Sequence, residues 1–213
     1  MNKKIKVILI LLTLSVTLSF MSDTYSRYAV NTTSNVELTF AKWQILVNEN
    51  DITDSTTSNL IITPIIEESE NVKKNTLAPS SKGYFDILIN PTNVEVSFDY
   101  IMNLKILNEN MPDILISKYA ILDENYEEGK TTINKLDIID NEIKNSLIFD
   151  NNTQNFVFKP FTIRVFFEWF EGTNELMGDT QDTEIGQDAA KNNTKLQIEA
   201  TLKFEQNIKT TTE

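Results

Sequence analysis

The chain has 213 residues, 40% of them hydrophobic and 23% charged, with five Gly and five Pro, which suits one globular domain and excludes both a disordered chain and a repeat array. Its 31 acidic against 19 basic side chains give a formal charge of -12, so neither a nucleic-acid backbone nor an anionic lipid surface attracts it. With no His and no Cys it cannot build a Ser-His-Asp triad, a Cys nucleophile, a His- or Cys-ligated zinc site or a disulfide.

Residues 1–24 have the layout of a secretory signal peptide: Lys3, Lys4 and Lys6 precede an uncharged, mostly apolar run from Val7 to Phe20. Those fourteen residues would cover about 21 Å as a helix, short of the roughly 30 Å hydrocarbon core, which favours a cleaved signal over a permanent membrane span. Small residues suited to cleavage occur at Ser22 and Thr24 or at Thr24 and Ser26. Export without cysteine fits a Gram-positive envelope better than a disulfide-stapled ectodomain.

Beyond the signal, residues 25–35 form a short N-terminal segment, 36–207 the main domain and 208–213 a polar tail. The period of the main domain is two. Val36–Val47 reads as a strand with a bulge or sheet crossing near Phe40, where the apolar phase changes. Leu60–Ile66 reads as an edge strand because Pro64 removes a ladder donor, and Tyr84–Asn90 as a strand ended by Pro91. Val94–Leu107 places Val94, Val96, Phe98, Tyr100, Met102, Leu104 and Ile106 on one face, and Ile114–Leu122 follows as another strand. Residues 123–155 are polar and Asn-rich, and the spacing of Leu136, Ile139, Ile143 and Leu147 predicts a helical insertion. Phe161–Phe170 alternates with Ile163, Val165, Phe167 and Trp169 inward, while Phe166 and Phe170 share the face of Arg164 and Glu168, so that face is partly covered too. Residues 171–195 read as a long loop with one helical turn, and Leu196–Glu205 as the last strand. Seven or more alternating strands with little helix predict an all-β, antiparallel β-sandwich.

The stretches SDTYSRY at Ser22–Tyr28, AKWQILVNENDIT at Ala41–Thr53, LAPSSKGYFDILINPTNVEVSFDY at Leu77–Tyr100, and DTEIGQDAA through LQIEATLKFEQ at Asp182–Gln206 resemble, in that order, exported Firmicute proteins of the TasA and camelysin type. The resemblance implies processing by a dedicated signal peptidase, a jelly-roll-like winding of the sandwich, and a secreted structural protein of the cell surface or biofilm matrix. It also implies partners of its own kind, either further copies or a homologous matrix protein, joined into extracellular fibres by β-strand addition. The donor strand would be Tyr25–Asn35, with Tyr25, Arg27 and Ala29 on one face and Val30 on the other.

Three other readings follow from particular residues. Asp179, Asp182, Glu184 and Asp188 are hard oxygen ligands of the kind calcium accepts, although their spacing does not match a calcium loop; the plain alternative is a helix capped by Asp182 or Thr183. Trp43 and Trp169 would make a sugar-stacking platform for a monomeric surface-binding module, or else pack in the core. Camelysin-like proteolysis has no H-E-x-x-H and no D-T-G or D-S-G context to support it, so the chain reads as non-enzymatic and without a required cofactor.

Overall fold

The computed structural model describes residues 2–27, 39–53 and 62–207. The chain divides into two compact units, Met1–Phe40 and Ala41–Glu213. The first contains helix α1 (Lys3–Arg27), whose apolar residues run around the whole circumference rather than along one stripe. Two of its hydroxyls bond within the helix: Thr13 Oγ1 donates to the Leu9 and Ile10 carbonyls at 3.0 and 2.9 Å, and Thr17 Oγ1 to those of Thr13 and Leu14. Among the described residues no helix is long and apolar enough to cross a membrane.

The second unit is an all-β sandwich of two antiparallel sheets. Its elements are β1 (Leu46–Val47), β2 (Asn50–Asp51), β3 (Ile65–Ile66), β4 (Lys82–Asn90), β5 (Phe98–Ile106), β6 (Ile114–Leu122), β7 (Leu136–Asp137), β8 (Glu142–Leu147), β9 (Phe161–Trp169), α2 (Asp179–Asn192) and β10 (Ile198–Gln206). The larger sheet runs β2-β1-β4-β9-β6-β7, with β3 also paired to β4, and the smaller runs β10-β5-β8. Successive long strands alternate between the sheets: β4, β6 and β9 lie in the larger, β5, β8 and β10 in the smaller. This alternation makes a sandwich; it does not by itself reproduce the two Greek keys of a jelly roll, the winding that the resemblance implied.

The inward period-two residues of both sheets form one core. Phe85, Ile87 and Ile89 of β4 and Ile163, Val165 and Phe167 of β9 meet Phe98, Tyr100, Met102 and Leu104 of β5, with Ile143 and Leu202 from its neighbours. Phe98 sits at its aromatic centre, edge-on to Trp43 and Phe158 with centroids 6.0 and 5.3 Å away. A smaller cluster of Met111, Ile114, Trp169 and Met177 closes one end, with Ile185 of α2 packed on it. There the buried Asp113 carboxylate fixes the connection before α2 by accepting the Leu176 and Met177 N–H groups at 2.8 and 2.5 Å.

Several sequence expectations need correction. Residues 123–155 are not helical; they carry β7, a two-residue turn and β8. The apolar step of four from Ile139 to Ile143 to Leu147 suited a helix, but four is also a multiple of two, and Ile143 and Leu147 both face inward on β8. Asp140 and Asn141, at φ 53° and 58°, supply the left-handed pair that a tight hairpin needs, and the Glu142 N–H donates to the Ile139 carbonyl at 2.9 Å. The strand expected over Val36–Val47 is reduced to β1. Residues 36–38 lie outside the described residues, and Lys42 and Gln44 bond instead to the irregular segment at Asn93 and Glu95. The strand expected from Val94 begins at Phe98, because Val94 closes a turn onto the Pro91 carbonyl at 3.0 Å. Residues 171–195 are not chiefly loop: α2 occupies fourteen of them. Neither Asp182 nor Thr183 caps that helix; Gly178 does, its N–H donating to Gln181 Oε1 at 3.1 Å, while Asn193 closes the other end at φ 54°.

Candidate functional site

Sheet edges are where a β-sandwich offers backbone hydrogen bonds to another chain. Among the described residues the longest such edge is β10, paired with β5 along all nine of its residues and with nothing on its other side. The direction of its free groups follows from two bonds at its ends: Leu107 N–H donates to the Gln197 carbonyl at 2.9 Å and Asn207 N–H to the Ser97 carbonyl at 2.8 Å. Odd-numbered residues therefore bond to β5, and alternation turns the N–H and C=O of Ile198, Ala200, Leu202, Phe204 and Gln206 toward the open edge. Inward side chains are incompletely covered there, since Ile198, Ala200 and Phe204 are only half-buried whereas Met102 of the neighbouring strand is fully buried. An added strand would find a ladder of backbone groups and a strip of apolar surface. The opposite edge, β8, has six residues and a largely polar exposed surface.

The expected donor segment is only partly visible. Tyr25 and Arg27 are the closing residues of α1 rather than extended chain, and Ala29 and Val30 lie outside the described residues. A strand and a helix are alternatives for the same backbone, so donation would require those last helical residues to unwind.

The four acids read as calcium candidates all lie on α2, where helical spacing parts them: Asp179 and Asp182 share one side, Glu184 and Asp188 the other. Asp188 is held by Asn192 Nδ2 at 2.5 Å and by the Thr194 hydroxyl. Among the described residues no group of three or more acids is arranged to hold a metal ion. Asp179 and Asp182 instead face Glu171 and Glu175, and Asp182 Oδ1 is buried without a hydrogen-bond partner. Desolvation, then the Asp182 carboxylate beside it and the charges of Glu175 and Asp179, push the Glu171 carboxyl above its ordinary value. A raised folded value means that its contribution is present at acid pH and is lost as pH rises through that value. Glu171→Gln, which is neutral throughout, is therefore expected to protect the α2 amides better than the parent at pH 7, with the difference vanishing at pH 4; hydrogen exchange across the two pH values reads this directly.

Both tryptophans pack in the protein. Trp169 is buried in the smaller cluster and Trp43 is half-buried against Phe98, so neither offers a flat open ring.

Alternation in Phe161–Phe170 marked the outer face of the larger sheet as partly covered, and what it did not reveal is the set of partners that cover Arg164 there. Arg164, 5% exposed, points away from the core and is clamped by Asp86 of β4 through two bonds of 2.8 Å, by Glu128 at 2.8 Å and by the Tyr126 hydroxyl at 3.2 Å. Its guanidinium stacks 3.8 Å from the Tyr84 ring. Tyr126 and Glu128 belong to the polar insertion, so this cluster ties that segment down onto the sheet. A cation within the doubly apolar run FTIRVFFEWF was the sequence signal for it, because a charge on a covered face needs partners.

No family model matches this chain, and no match is found among curated proteins.

Proposed function

We propose that the chain is an exported, non-enzymatic structural protein of the TasA and camelysin type, acting at the cell surface or in the biofilm matrix of a Gram-positive bacterium and associating with further copies by β-strand addition. The observation that carries this reading is the β10 edge, nine residues long and unpaired on one side among the described residues, in a sandwich behind a basic-then-apolar N-terminus. In this scheme a signal peptidase removes residues 1–24, and the freed chain from Tyr25 supplies the donor strand. A jelly-roll winding and a secreted location belong to the same proposal. Processing removes Lys3, Lys4, Lys6 and Asp23, a net +2, and takes the charge from -12 to -14, which sets a condition for assembly: carboxylates repel between copies at neutral pH and low salt, so association is favoured by salt or mild acid.

Ala200→Pro tests the edge. The Ala200 N–H points outward, so proline there removes one outward donor and leaves the bonds of β10 to β5 in place. The variant is expected to keep its fold by circular dichroism and to lose assembly by light scattering. Assembly at the parental rate would remove β10 as the acceptor edge.

A further inference from the structure

The outer face of the larger sheet also carries a depression that neither the fold nor assembly accounts for. It is a shallow, half-open hollow of about 100 Å³ between β4, β9, β6 and the insertion, smaller than the pockets that engulf a whole ligand and suited at most to one ring lying against its floor. In a strongly acidic protein three of its lining side chains are lysines, Lys82, Lys118 and Lys135, arriving from three separate segments. The Lys135 ammonium lies 4.0 Å from the centroid of the Phe166 ring, which forms the aromatic floor. Lys82 reaches Glu168 at 3.6 Å, and Lys118 pairs with Asp137, an acid whose side chain is 74% exposed. The Lys82 and Lys118 side chains are 62% and 44% exposed, so solvent reaches their ammonium groups, and a ligand carboxylate there would share them with Glu168 and Asp137.

The backbone is shaped around this place. The register of β6 on β9 slips between Ile116 and Lys118, leaving Ser117 as an extra residue whose side chain is exposed at the depression. Such bulges re-aim side chains beside binding sites. On the other side Gly83 lets β3 approach closely, since a Cβ there would lie 2.6 Å from the Ile65 carbonyl oxygen.

We propose that this depression binds an acidic saccharide unit, a sugar ring bearing a carboxylate. The mixture of groups is what selects that class. Lysines attract the carboxylate, Phe166 offers apolar surface to the ring carbons, and Ser117, Glu67 and Glu168 are placed to exchange hydrogen bonds with hydroxyls. A bare anion or an acidic peptide would meet the same two glutamates as repulsion, with no hydroxyls to satisfy them. The role of the insertion then becomes specific: pinned at Arg164 by Tyr126 and Glu128, it brings Lys135 over Phe166.

The test is a titration of the full chain with trigalacturonate, with maltotriose as the neutral sugar and triglutamate as the acidic peptide, read by calorimetry and by the Phe166 ring signals in NMR. Trigalacturonate is expected to saturate and to move those signals, to weaken as salt rises, and to lose about tenfold in affinity in Lys135→Gln and again in Lys118→Gln. Lys191→Gln, on α2, is expected to bind as the parent does, and Phe166→Leu to weaken binding without loss of the lysines. Equal binding of triglutamate would overturn the proposal in favour of plain charge attraction, and equal binding of maltotriose would remove the carboxylate from it. Absence of saturation, or affinity indifferent to both lysine variants, would overturn it altogether. Because none of these readouts requires polymerisation, failure here and failure of the assembly reading are distinguishable.

Discussion

Phe98→Ala is expected to destabilise the sandwich by about 3–5 kcal/mol, the range for truncating a buried aromatic that leaves a cavity. Phe98 has no exposed surface and joins three aromatic neighbours, Trp43, Phe158 and Phe204, at centroid distances of 6.0, 5.3 and 6.2 Å. Those rings come from the irregular segment before β1, the connection before β9, and β10, so the cavity would loosen contacts between both sheets at once. Against a total stability of roughly 5–15 kcal/mol the loss is a large fraction, and for a domain of this size it lowers the melting temperature by about 6–20 °C. Phe40→Ala supplies the contrast: Phe40 is 94% exposed, and its removal is expected to change stability by less than about 0.5 kcal/mol. Thermal unfolding followed by circular dichroism separates the two, and equal effects would contradict the placement of the core.

Arg164→Met is expected to cost about 3 kcal/mol, the low end of what is lost when one partner of a buried ion pair is removed. The low end applies because water reaches the partners left behind: the side chains of Asp86 and Glu128 are 36% and 64% exposed. The larger consequence is local. With the guanidinium gone, Tyr126 and Glu128 lose their anchor on the sheet, and amide exchange over residues 124–130 should accelerate much more than exchange in β9. A double variant, Arg164→Met with Asp86→Leu, is expected to recover part of the loss, since no uncompensated carboxylate then remains beside Tyr84. Strict additivity of the two single effects would contradict the pairing. The pH dependence has a definite sign. Hydrogen bonding to Arg164 holds the Glu128 carboxyl below its ordinary range, so the anchor's contribution is present above that range and is lost as pH falls through the lowered value.

How far the sequence reveals this molecule depends on whether a residue's partners are near it in the chain. The Ile114–Leu122 strand coincides with β6, and β4, β9 and β10 fall within two residues of their expected starts, because alternation over nine residues is a local property that a two-sided sheet enforces. The insertion was misread where that signal is ambiguous. A four-residue apolar step serves either period, and the decisive feature was the Asp140–Asn141 pair, whose readiness for positive φ makes a turn. Helix α2 was underestimated for a related reason. Its interior carries Gly186 and few apolar residues, and only Ile185 packs on the neighbouring cluster, so its period is faint. Sites assembled from distant segments left almost no trace. Nothing in the positions of Lys82, Lys118 and Lys135 predicts that they meet, and the partners of Arg164 at Asp86 and Glu128 are 78 and 36 residues away. The four acids of α2 illustrate the reverse error: closeness in sequence suggested a common ligand site, and helical geometry turned them to opposite sides.

The central claim is that this sandwich associates by accepting a strand. Negative-stain microscopy of the protein starting at Tyr25, beside one starting at Val36, at neutral and mildly acidic pH, tests it most directly. The account predicts fibres from the longer chain, more abundant in mild acid, and none from the shorter, which would make residues 25–35 the assembling element. Monomers from both chains at both pH values would contradict it.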